Sequence, residues 1–92
     1  MTQVVITIKI MPISPETNLD TLEIKVLDKI KIFTGETQTK KLIEPIAFGL
    51  KALNITFVAE ESKGSPDKMV EEINSFDEVN SAEISDVRRA IG

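Results

Sequence analysis

The chain has 92 residues, 41% of them apolar and 28% charged, with a net charge of −4 and neither cysteine nor histidine. That length suits one domain, spanning 1–92, in which roughly 60–65% of the unfolded surface is buried around a modest core. The composition argues against disulfides, thiolate metal sites, thiol nucleophiles and histidine bases, and an acidic chain without Trp or Tyr is a poor phosphate-backbone or base-stacking platform.

The start, "MTQVVITIKIMP", carries no basic n-region and no long apolar run, so neither a signal peptide nor a membrane span is expected, and the cytoplasm is the expected compartment. Residues 3–11 alternate: Val4, Ile6, Ile8 and Ile10 share one face, with Val5, Thr7 and Lys9 on the other, which predicts a half-buried strand. "PISPETN" breaks it with two prolines. Leu19, Leu22, Val26 and Ile30, spaced near 3.6, predict a helix over 19–32, with Asn18 as N-cap and Gly35 as C-cap. A weaker strand follows over 37–44, where Lys40 and Lys41 suit an edge protected against stray pairing.

A turn at 45–49 and a third strand over 50–60, with Leu53, Ile55 and Phe57 inward, complete a hairpin. Ser65 as N-cap and Pro66 at the first helical position open a second helix running to about Ser75, with Met69, Val70, Ile73 and Phe76 as its apolar stripe. A last strand over 78–87 points Ala82 and Ile84 inward, and Arg88 and Arg89 follow it. The order βαββαβ with right-handed crossovers gives an α+β ferredoxin-like sandwich: a four-stranded antiparallel sheet in the order 4-1-3-2 with both helices on one face.

That architecture carries many functions, so the residues must choose among them. A metal chaperone needs paired cysteines. An RNA-recognition sheet needs aromatics where this chain has Val5, Thr7, Lys9, Asn54 and Thr56, and an acylphosphatase-like site needs an arginine that "PISPETN" lacks. Glu60, Glu61, Asp67, Glu71 and Glu72 match no calcium-loop spacing and suit a helix N-terminus and a solvated face. No metal site, cofactor or catalytic set is expected, and the chain is not expected to be an enzyme.

Two features remain. "EPIAFGLKAL" places Ile46, Ala47 and Phe48 in a turn that would ordinarily be polar. Burial statistics favour Phe48 folding back to plug the core; the functional alternative has Phe48 and Ile46 standing out to anchor a partner, with Gly49 supplying positive φ or close approach. Charge is the second feature. Residues 1–59 carry seven lysines and six acids, whereas residues 60–92 carry nine acids and four basic residues, and Arg88 and Arg89 are the only cations after Lys68. They suit either a solubilising end or a cationic finger for phosphates or carboxylates.

With "SPE", "EPIAFGLKALNI", "VEEI" and "EVNSAEISDVRR" in view, the chain resembles the archaeal translation elongation factor 1 beta family along its whole length, and more distantly the exchange domain of the eukaryotic counterparts. The resemblance implies a guanine-nucleotide exchange factor that promotes GDP release and GTP reloading on elongation factor 1 alpha, a GTPase that itself binds nucleotide and Mg²⁺. No direct nucleic-acid or membrane contact is implied. It places a partner-contacting aromatic at Phe48 and a basic residue near the nucleotide site at Arg89, beside Arg88, where the eukaryotic domains carry lysine. The strand order alone puts the 45–49 turn and the end of the last strand at opposite ends of the sheet, as two contacts of one extended surface. The rival reading is a small-molecule-sensing regulatory domain that forms a stable dimer through its open sheet face; the mixed surface of Thr7, Lys9, Asn54, Thr56 and Val58 there argues against a dry interface.

Overall fold

A computed structural model of the chain describes residues 2–89. β1 (Gln3–Pro12), α1 (Leu19–Thr34), β2 (Thr39–Pro45), β3 (Lys51–Glu60), α2 (Asp67–Asn74) and β4 (Val79–Arg89) follow one another in the predicted βαββαβ order. The strands form one antiparallel sheet, ordered β2-β3-β1-β4, which is the ferredoxin-like arrangement. No helix among the described residues is long and apolar enough to cross a membrane.

The alternation of β1 builds the core. Ile6, Ile8 and Ile10 are fully buried beneath Leu22, Val26 and Ile30 of α1, Met69 and Ile73 of α2, and Leu53, Ile55 and Phe57 of β3. Phe33, one residue past the predicted end of α1, meets Phe57 edge-on with ring centroids 6.5 Å apart, and this contact holds the last turn of a helix that continues to Thr34. Asn18 caps the helix as expected: its Oδ1 accepts from the N–H groups of Asp20 and Thr21 at 3.0 and 3.1 Å. Gly35 closes the other end with φ 79°, its N–H donating to the Lys31 carbonyl.

Other boundaries differ from expectation by one or two residues. β2 starts at Thr39 rather than 37, and none of its residues is buried. α2 begins at Asp67, one residue later than predicted; Pro66 holds the cap position while Ser65 Oγ accepts from the Asp67 N–H at 3.3 Å. β4 runs two residues further than predicted, to Arg89, because its end pairs with the start of β1.

A close ion pair ties α1 to the connection between α2 and β4. Lys25 Nζ of α1 donates to Glu78 Oε2 at 2.6 Å and sits 5.8 Å from the centre of the Phe76 ring, in the connection between α2 and β4. The Lys25 hydrogen bond holds the Glu78 carboxyl below its ordinary range, and Glu78's own backbone N–H adds to the effect. Because the folded pKa is depressed, the stabilisation is present above the unfolded carboxylate value and is lost as pH falls through the folded one. Carboxyl NMR should therefore give Glu78 a midpoint below that of a free glutamate, and Lys25→Met should return it toward the ordinary value.

Candidate functional site

The hairpin between β2 and β3 closes with an unusual tip. The Ile46 N–H donates to the Leu50 carbonyl at 2.7 Å, and the Leu50 N–H donates to the Ala47 carbonyl at 3.3 Å. Between them Phe48 has φ 63°, ψ 30° and Gly49 has φ 77°. Two successive left-handed residues match the twist of a tight hairpin, a geometry that favours Asn-Gly or Asp-Gly. Here the first of the two positions is held by phenylalanine, the only non-glycine residue with positive φ among the described residues. A left-handed conformation costs an L-residue roughly 1–2 kcal/mol.

The Phe48 ring does not recover that cost by burial. Its exposure is 94%, so it does not plug the core; the plug is unnecessary because Leu53, Ile55 and Phe57 already fill that layer. Ile46, expected beside it as an anchor, is half-buried at the hairpin base, so Phe48 protrudes without it. Gly49 is required by its φ rather than by crowding: a Cβ there would meet only the Pro15 side chain, at 3.9 Å. That proximity brings the β1–α1 loop against the tip. Pro12, Ser14, Pro15 and Thr17 line a small cleft with Lys51, and Ile13 in the same loop is 63% exposed. Nothing in the sequence assigns "PISPETN" to this site; its two prolines are the available sign of a rigid loop.

The arginines lie inside β4 rather than beyond it; as neighbours they take opposite faces, and an upstream bulge decides which face each takes. Ile8 pairs with Ile84 but Thr7 pairs with Asp86, so Ser85 is the extra residue. Below the bulge Val87 faces Ile6 and Arg89 faces Val4 on the helix side, while Arg88 faces Val5 on the open side. Each guanidinium rests on a carboxylate. Arg88 Nε is 2.7 Å from Asp86 Oδ2, and Arg89 Nη2 is 3.5 Å from Glu61 Oε1 in the connection after β3. Both arginine side chains are mostly exposed, at 78% and 75%, so these pairs are weak and exchangeable.

Phe48 and the arginines are not neighbours. Pro45 pairs with Lys51 at one end of the sheet, level with Pro12 and Val79; Arg89 pairs with Val4 at the other. Eight residues of β1 separate these levels, about 26 Å at the usual strand rise. Among the described residues no group of three acidic, His or Cys side chains is placed to hold a metal. Because Phe48 is strained and touches no core, Phe48→Gly should raise the unfolding free energy by about 0.5–1 kcal/mol and Phe48→Ala should leave it within about 0.5 kcal/mol, by urea denaturation.

Comparison with known proteins identifies the family. The profile of the EF-1 guanine nucleotide exchange domain matches residues 5–90. Elongation factor 1-beta of Methanosphaera stadtmanae is 37% identical over 89 residues, covering 97% of this chain and 98% of that protein. The Methanothermobacter thermautotrophicus and Sulfurisphaera tokodaii proteins of the same name are 38% and 40% identical, each over 97% of this chain and over 98% and 97% of their own lengths. Solved structures at low identity support the fold alone: the de novo designed protein Foldit4 superposes with a TM-score of 0.62 at 17% identity over 98% of both chains, and BlrP1 BLUF with 0.57 at 10% over 100% of this chain and 57% of its own. Matched by this family's model over residues 5–90 and by these relatives over 97% of its length, the chain belongs to the EF-1 guanine nucleotide exchange domain family of elongation factor 1-beta proteins.

Proposed function

We propose that the chain acts as a single cytoplasmic exchange domain that promotes GDP release and GTP reloading on elongation factor 1 alpha. The observation that carries this reading is Phe48, held 94% exposed on a strained left-handed backbone at the hairpin tip. A protein keeps an aromatic ring in that state at a stability cost when the ring serves a contact outside the chain. Phe48 and the adjoining Pro15 loop are one grip on the GTPase. Arg88 and Arg89, at the far end, are the other. The family match supports the exchange activity; the division of labour rests on the geometry.

No covalent bond changes in exchange, so the chain needs no catalytic residue. The factor binds the emptied GTPase more tightly than the nucleotide-loaded one, and by reciprocity weakens nucleotide binding by the same ratio. An arginine brought toward the Mg²⁺ and diphosphate of the partner acts by like-charge repulsion on the ion and by pairing with phosphate or carboxylate oxygens. Leaving Asp86 or Glu61 is cheap, since exposed pairs contribute about 0.2–1 kcal/mol.

Release of fluorescent GDP from elongation factor 1 alpha tests both grips. The wild type should accelerate release to a saturating rate. Arg88→Ala/Arg89→Ala should keep the fold and lower that rate by tenfold or more, on the order of 1.4 kcal/mol or above. Phe48→Ala should chiefly raise the concentration needed for half saturation, consistent with a loss of about 1–3 kcal/mol of binding. An unchanged rate with the double arginine variant removes the cationic grip. An unchanged half-saturation with Phe48→Ala removes the aromatic one.

A further inference from the structure

β2 is an uncovered sheet edge, and its pattern specifies what pairs with it. Every residue of Thr39–Pro45 is exposed, with Leu42 at 64% and Ile43 at 39%. The Ile46 N–H bond to the Leu50 carbonyl makes Pro45–Lys51 a non-hydrogen-bonded pair. Glu44, Leu42 and Lys40 therefore direct their backbone groups toward β3, and Ile43, Lys41 and Thr39 direct theirs outward. The other edge, β4, is interrupted by two register shifts; β2 has none.

We propose that β2 pairs antiparallel with β2 of a second copy of this chain, about a two-fold axis at Leu42. Outward backbone groups must meet outward ones, which leaves few registers. Centred on Lys41, the strands set Lys41 against Lys41. Centred on Ile43, they set Leu42 against Glu44 and Lys40 against Ile46. Centred on Leu42, they set Lys40 of each copy against Glu44 of the other and Leu42 against Leu42 on the open face, with Lys41 against Ile43 on the helix face. Only this register matches both charges and the apolar centre.

The monomer leaves the required groups available. Lys40 has no carboxylate within ion-pair distance among the described residues, whereas Lys41 is held by Glu23 at 3.0 Å and Asp20 at 4.0 Å on its own helix face. Glu44 makes only loose contacts, 3.7 Å to Lys9 Nζ and 3.4 Å to Asn54 Nδ2. The two lysines thus disfavour most strand pairings and leave one. The extended backbone supplies hydrogen bonds from Lys41 and Ile43 to their counterparts, and from Thr39 to the Pro45 carbonyl, which has no N–H to return. This ribbon differs from an open-face dimer, and it does not depend on the exchange reading.

Sedimentation equilibrium without any GTPase tests it. The contact area is small, so association should emerge between about 0.1 and 1 mM, with the mass climbing toward twice that of the monomer. Lys40→Glu and Glu44→Lys should each raise the dissociation constant about tenfold by creating like-charge pairs, and the double exchange K40E/E44K should restore it to within about threefold of wild type. The double variant does not restore the Lys9 contact, so its recovery reports the intermolecular pairs alone. Amide exchange at Lys41 and Ile43 should slow as concentration rises. A wild type that stays monomeric at about 1 mM overturns the proposal, as does a dimer whose affinity ignores both single reversals or whose K40E/E44K form is no tighter than the single variants.

Discussion

β1 pairs antiparallel with β3 on one side and β4 on the other, and this pairing determines what each end of the molecule holds. Its apolar face, Ile6, Ile8 and Ile10, is completely buried, so a one-residue slip on either side would expose the core. With that register locked, the start of β3 and the end of β4 fall at opposite ends. The hairpin tip carrying Phe48 and the strand end carrying Arg88 and Arg89 then become two stations on a body 42 Å long and 22 by 18 Å across. A rigid sheet between them converts two small features into a span.

Both stations depart from the local rules that shape the rest of the chain. The hairpin uses Phe where Asn or Gly is favoured, and β4 inserts Ser85 where plain alternation would serve. The strain at Phe48 buys exposure of one ring. The bulge turns Arg88 to the open side and Arg89 to the helix side, each beside a carboxylate of its own chain. Departures of this kind, set in an otherwise consistent scaffold, are where function is expected to reside.

Most of the scaffold was legible because burial writes itself into periodicity. The alternation in β1 and β3, the 3.6-residue stripe of α1, Asn18 and Gly35 each correspond to a physical demand met by one residue type. The start of β2 is not legible to better than two residues because no side chain in it is buried. The reach of β4 was written more faintly. Val79, Ala82, Ile84 and Val87 are spaced three, two and three apart, and each three marks a bulge that keeps the apolar side chains on the helix side. The backbone of Phe48 left no such trace: its left-handed conformation follows from the two-residue turn, where phenylalanine is an improbable occupant. Phe48 and the arginines were found as residue types out of place, and the resemblance, not periodicity, connected them.

In the proposed exchange mechanism the two grips act independently, because a rigid sheet holds them far apart. A double-mutant cycle on binding to nucleotide-free elongation factor 1 alpha tests this, with Phe48→Ala as one change and Arg88→Ala/Arg89→Ala as the other. Independent contacts predict that the combined loss equals the sum of the separate losses within about 0.5 kcal/mol. A coupling energy above about 1 kcal/mol would mean that the two ends share a contact in the complex, and would contradict the extended, two-ended grip.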